Sequence, residues 1–182
     1  MTKEVLIQEW FEYAIRDYEL ANHVFKTMYR KPLEIICYHC QQATEKALKG
    51  FLVYCDIVPP RIHDLEALLD ICLSHDSRFE IFNIDIANVL TNYSVETRYP
   101  SLNKMDITES DARIALLYAK QALETVANLI PFVELSYVEN HLQEQSRLTL
   151  PNPDTLDLLP SQRNPDSPCF ASESEKPKDR GL

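Results

Sequence analysis

Apolar and small side chains recur near the start of the chain at Ile7, Trp10, Phe11, Ala14, Tyr18, Ala21, Phe25 and Met28. This is the 3.6-residue period of a helix with one buried face. Pro32 opens a second helical run, in a first-turn position where its missing N–H costs nothing. That run extends to about Asp56 and stops before Pro59-Pro60. Asp64 is placed to cap a short third helix from Leu65 to about Ser74. A fourth is predicted over roughly Phe79 to Val95, ending before Tyr99-Pro100, because a residue preceding proline avoids the helical region. Thr108-Glu109-Ser110-Asp111 has the spacing of a capping box, with Asp in place of the usual Glu or Gln. It starts a fifth helix in which Ile114, Leu117, Tyr118, Gln121, Ala122, Thr125, Val126 and Leu129 share a face, and Pro131 ends or kinks it. No strand-like alternation bounded by turn signals competes with this pattern. Residues 1–134 are therefore predicted to be all-helical.

From about Leu135 the pattern changes. Six of the eleven prolines lie beyond residue 150, with Ser, Asp and Glu between them. Such a segment buries too little apolar surface to offset its chain entropy. Residues 135–182 are expected to be a mostly disordered tail, with a few helical turns near Val138 to Arg147. The tail holds eight acids and five bases. Of the formal charge of -10, it carries -3 and leaves -7 for the helical part.

Composition narrows the function classes. The chain has 182 residues, 45% of them hydrophobic, which is enough for one core. A net charge of -10 argues against broad, sequence-blind nucleic-acid binding, which needs a basic face, but is compatible with a small basic pocket. No apolar run of about 18 residues exists to span a membrane. MTKEVLIQEW reads as an amphipathic helix and not as a signal peptide. A cytoplasmic protein with five reduced cysteines is expected. The two glycines, Gly50 and Gly181, leave no phosphate-cradling glycine loop.

The stretch CYHC (37–40) suggests metal or redox chemistry, and helix geometry argues against both. Ile36, Cys40, Ala43, Ala47, Gly50, Phe51 and Tyr54 fall in one stripe of the second helix, with Cys37, Leu48 and Cys55 on its margin. His39 points about 160° away from Cys37, and Cys55 lies roughly 27 Å further along. A structural zinc needs four ligands about 2 Å from one point. A redox CxxC sits at an exposed helix start. Cys37 and Cys40 are thus expected to be packed core thiols, with no metal site. His39, Gln42 and Lys46 line the polar flank of the same helix, and Glu45 and Lys49 continue around it, where a solvated i,i+4 pair is one account and a part in a polar site the other. His39 and Lys46 border the apolar stripe, so a neighbouring helix should partly cover them, and Lys46 must find an anion or a carbonyl there.

Three blocks, YHCQQATEKALKGFL (38–52), IHDLEALL (62–69) and NYSVETRYP (92–100), resemble the HEPN domain family in order and spacing. The family's pattern has a histidine and Gln-Ala-x-Glu-Lys-Ala-x-Lys on the second helix, then Pro-x-x-His-Asp-Leu, then Arg-Tyr-Pro. The likeness runs over roughly residues 5 to 130 and does not reach the tail. It implies an up-and-down bundle of about five helices, usually a homodimer, with a polar cleft and no cofactor, often encoded beside a minimal nucleotidyltransferase in a toxin–antitoxin-like setting. By position, the implied cleft residues are His39, Gln42, Glu45, Lys46, Lys49, His63, Asp64, Tyr93, Arg98 and Tyr99. Asp64 also suits a helix cap, and Tyr99-Pro100 also suits a helix stop.

Many such relatives cut RNA with a late Arg-x4–6-His motif. No histidine follows Arg98 or Arg113 within that reach. The one formal match, Arg16-DYELAN-His23, lies in the first helix and is read as coincidence. The preferred reading is a binding module for a nucleotide, an RNA or a partner nucleotidyltransferase, with Lys46, Lys49 and Arg98 on phosphate oxygens. Glu45 and Asp64 would orient those cations or a ribose hydroxyl. The alternative is a metal-independent endoribonuclease with His39 or His63 as base and Lys46 or Arg98 stabilising the phosphate. A helical module whose polar residues only specify a dimer is the third. Trp10, Phe11, Phe25 and Phe51 suggest an apolar face that a second copy would cover, with a local positive cleft beside it.

Overall fold

A computed structural model describes residues 2–96 and 106–133 of the chain. Arg98, Tyr99 and the segment 135–182 lie outside the described residues. The described part is all-α: α1 (Lys3–Thr27), α2 (Leu33–Tyr54), α3 (Leu65–Leu73), a 3-10 turn (Ser77–Ile81), α4 (Ile84–Glu96) and α5 (Glu109–Leu129). The five helices form an up-and-down bundle around α2, which packs against each of the others. No helix among the described residues is long and apolar enough to cross a membrane.

Local chemistry sets the ends. Thr2 caps α1 by accepting from Val5 N–H. Pro32 stands one position earlier than predicted, at the cap of α2, where its carbonyl accepts from Ile35 and Ile36. Asp64 accepts from the Glu66 and Ala67 amides and caps α3. Thr108 and Asp111 complete the predicted capping box of α5. Past the end of α2, Ile57 N–H reaches Leu52 C=O at 2.9 Å and Asp56 N–H reaches Val53 C=O at 3.0 Å. This is a Schellman ending, and it holds Asp56 at a φ of 62°, a left-handed conformation that suits glycine better.

Two details differ from the sequence reading. The predicted helix from Phe79 to Val95 is broken near Asn83. Asp76 starts the short 3-10 turn, and Asn83 then accepts from Ile86 N–H at the head of α4. The break lets Phe79 and Phe82 both turn inward, in a file Phe51–Phe79–Phe82–Tyr118 with ring centroids 4.7, 5.8 and 5.4 Å apart. The buried face of α5 keeps Leu117, Tyr118, Ala122, Val126 and Leu129 of the predicted one but is broader. It carries Ala112, Ala115, Ala119, Ala122, Leu123 and Val126, while Ile114, Gln121 and Thr125 sit half-buried at its edge. Alanines let α5 approach closely, and a reading weighted toward large side chains undervalues them.

The thiols of Cys37, Cys40 and Cys72 are fully buried, and burial pushes all three up from their ordinary pKa. They pack the core as predicted. Phe11 and Phe51 are buried too, and Trp10 and Phe25 pack against the core, so the aromatics expected on an open face are inside. Gly50 allows α1 to lie against α2, since a Cβ there would stand 3.2 Å from Trp10 Cβ.

The end of α2 yields a stability prediction. Asp56→Ala and Asp56→Gly both delete the exposed pair with Lys3, so their difference isolates the backbone. The glycine variant should be the more stable by about 1 kcal/mol in urea unfolding.

Candidate functional site

The polar side chains of α2 form two clusters joined by glutamines. In the first, Asp17 of α1 faces His39 and Lys46. His39 Nδ1–H donates to Asp17 Oδ1 at 2.8 Å, and Lys46 Nζ donates to Asp17 Oδ2. Lys46 also donates to Gln42 Oε1 at 3.2 Å. In the second, Glu45 is only 4% exposed and Lys49 6%. Lys49 Nζ donates to Glu45 Oε1 and to the Ile62 carbonyl, both at 2.8 Å. His63 Nδ1–H donates to the same carboxylate at 3.0 Å. Between the clusters, Gln42 Nε2 donates to Gln41 Oε1 at 2.7 Å, and Gln41 Nε2 donates to Glu45 Oε2 at 3.0 Å and to the His63 carbonyl at 3.1 Å.

The spacing explains the assembly. Residues 41, 45 and 49 follow each other at i,i+4 on one helical line, and 39, 42 and 46 lie on the next. α1 covers the second line and the connection from α2 to α3 covers the first. The two ends differ in access. Lys46 and His39 are mostly buried, with side chains 23% and 22% exposed, whereas the His63 ring is 64% exposed.

Burial by itself raises the pKa of Asp17 and Glu45, but their bonded donors outweigh it. Hydrogen bonds from His39 and Lys46 bring Asp17 below its ordinary value, and those from Lys49, Gln41 and His63 do the same for Glu45. Both carboxylates are thus anions held among donors. With Nδ1–H committed to a carboxylate, each imidazole keeps Nε2 as its second nitrogen, and the ring orientation is fixed.

Of the residues singled out in the sequence, the structure brings together His39, Gln42, Glu45, Lys46, Lys49 and His63. Of the two accounts of Glu45 and Lys49, the solvated pair does not hold, because the α2–α3 connection folds over them. Each lysine is matched by its own carboxylate, so the pair does not form the locally positive cleft anticipated. Asp64 serves the cap of α3. Tyr93 is 1% exposed in the core, and burial pushes its pKa up. Arg16 of the formal Arg-His match is exposed, pairing with Glu12 at 3.3 Å. Among the described residues, no three His, Cys, Asp or Glu side chains are grouped to hold a metal ion. Sequence reasoning missed Asp17 and Gln41. The signal for Asp17 was present, as an acid at the edge of the α1 apolar face and a lysine on α2 that required an anion.

The buried pair gives a pH-dependent prediction. Glu45→Ala leaves Lys49 buried without its carboxylate and should cost about 3–5 kcal/mol at pH 7. A carboxyl whose folded pKa is lowered contributes stability above its unfolded value, and loses it as pH falls through the folded one. The gap between wild type and variant should therefore narrow below about pH 4.5, the ordinary value for Glu45. Urea titrations at several pH values measure it, and a gap that stays constant into acid contradicts the assignment.

A comparison of the whole chain agrees with the order of the motifs. The family model for the HEPN domain matches residues 7–129, which runs from within α1 to the end of α5 and includes both clusters. No curated protein and no solved structure matches the chain. On that match, the chain belongs to the HEPN domain family.

Proposed function

We propose that this protein is a binding module for the phosphate of a nucleotide or a short RNA, acting with a minimal nucleotidyltransferase as its partner. The observation that supports it most is the Asp17 cluster. Lys46 and His39 are partly accessible cationic or donor groups already fixed by one carboxylate and one glutamine. A preordered donor set loses little side-chain entropy on meeting an anion. Gln42 and the exposed His63 edge extend the surface along α2. Lys49 stands behind it as a strut. Arg98, outside the described residues, remains the further phosphate-binding candidate that the sequence offers. A toxin–antitoxin-like setting and a cytoplasmic location go with the proposal.

RNA cleavage is the second reading, and one observation favours it. Both imidazoles are oriented by carboxylates, His39 by Asp17 and His63 by Glu45, as a general base and a general acid need to be. Against it stands the missing late Arg-His motif. On the binding reading, the full chain leaves a labelled RNA oligonucleotide intact in EDTA. Metal-free cleavage that disappears in both His39→Ala and His63→Ala would establish the enzyme instead.

The binding itself is measured by thermal unfolding. ATP or an RNA oligonucleotide should stabilise wild type through linkage, by about 2.7 kcal/mol at a hundredfold excess over Kd, and so raise its melting temperature. Lys46→Ala should abolish the shift. If neither ligand moves the wild-type curve, the phosphate reading fails.

A further inference from the structure

The seam between α1 and α2 carries aromatic surface beside the Asp17 cluster that the cluster itself does not use. Two contacts set the register of these antiparallel helices. A Cβ on Gly50 would stand 3.2 Å from Trp10 Cβ, and Asp17 bonds both His39 and Lys46. Trp10 is therefore level with Gly50. Tyr13 lies about 4.5 Å further along α1, which brings it level with Lys46 and Ala47. Around the helix, Tyr13 is four residues before Asp17 and turned about 40° from it. Trp10 is seven before Asp17 and turned only about 20°. Trp10, Tyr13 and Asp17 thus share one edge of α1, and Lys46 and His39 face that edge from α2.

Both rings are open to solvent in part. Tyr13 is 54% exposed, and Trp10 is half-buried against the core. Tyr13 is also braced. The Arg16 guanidinium stands 5.3 Å from its ring centroid and is itself paired with Glu12 at 3.3 Å. One exposed aromatic is ordinary on a protein surface. Here there are two, and they border a lysine and an imidazole already fixed as donors.

We infer that Trp10 and Tyr13 form the platform for the base of a mononucleotide whose phosphate rests on Lys46 and His39. This deepens the phosphate reading of that site and rests on it. Each half of such a ligand has its own recognition chemistry. Lys46 and His39 donate to phosphate oxygens, while a nucleobase presents a flat π-face that aromatic rings and guanidinium planes stack upon. Along α1 the two halves are about 6 Å apart, the rise from Tyr13 to Asp17, and the ribose is the spacer. Stacking tolerates any base. The platform therefore separates nucleotides from bare phosphates and sugar phosphates, and not one base from another.

AMP and ribose 5-phosphate test it, since they share ribose and phosphate and differ by the base alone. Titration calorimetry on the full chain should show AMP bound about tenfold more tightly, the usual effect of stacking one base. Trp10 is the single tryptophan of the chain, so AMP should quench its fluorescence and ribose 5-phosphate should not. Tyr13→Ala should lower AMP to the affinity of ribose 5-phosphate and leave the latter as it was, with circular dichroism to confirm the fold. Tyr13→Phe should keep the preference, because the ring carries it and not the hydroxyl. Lys46→Ala should weaken both ligands alike. Equal affinity of wild type for the two ligands overturns the base platform and leaves the phosphate reading standing. A preference for AMP that survives Tyr13→Ala, or AMP binding with Trp10 fluorescence unchanged, does the same. If neither ligand binds, the platform falls together with the phosphate reading, which the ATP and RNA melting curves check separately.

Discussion

The burial of ionic groups on α2 is the constraint on which the rest of the bundle depends. α2 is covered on nearly every side, yet it carries Glu45 and Lys49 at the depth of its leucines. Removing such ions from water costs several kcal/mol each unless their bonds are replaced. The replacement draws on the chain after α2. Lys49 takes the Ile62 carbonyl, Gln41 takes the His63 carbonyl, and the His63 ring returns to Glu45. The Schellman ending at Asp56 turns the chain back so that these carbonyls arrive. Asp64, the next residue, then caps α3. The position of α3 thus follows from the need to satisfy a lysine.

α1 answers the same requirement from the other side. Its inward face buries Ile7, Phe11, Ala14, Tyr18 and Ala21, and Gly50 allows it to approach α2 closely. That closeness brings the Asp17 carboxylate to the edge of the contact, where it meets His39 and Lys46. An uncharged residue at 17 would leave Lys46 three-quarters covered and without an anion. The helix therefore has one face for packing and one edge for charge compensation.

Much of this was legible in the sequence and some was not, for identifiable reasons. Helix caps are local chemistry, so Asp64 and the Thr108–Asp111 box could be read directly. The inward-facing thiols of α2 followed from the helical period. The break at Asn83 was hidden because apolar residues continue through it, and a 3-10 turn reads like a helix in spacing. Glu45 and Lys49 could not be placed because an i,i+4 acid–base pair is the commonest sign of a solvated face, and period says nothing about a loop that folds back over it. The sequence did require an anion near Lys46, but choosing Asp17 needed the register of α1 on α2. That register is a tertiary property.

The charge balance bears on which ligand the phosphate reading favours. A chain at -10 repels polyanions at distances up to the Debye length, about 8 Å in physiological salt. Within the site, two lysines and two carboxylates cancel, so no net positive field draws in a long phosphodiester. What remains is short-range: a few donors on Lys46, Gln42 and the imidazoles, held in fixed places. On the phosphate reading, such a set would discriminate by hydrogen-bond geometry at one phosphate and gain little from each additional one. Extended RNA would add repulsion with every nucleotide outside the site, while a mononucleotide places its charge where the donors are. On physical grounds, a compact phosphate is the better match to this neutral, preordered cluster than a long nucleic acid.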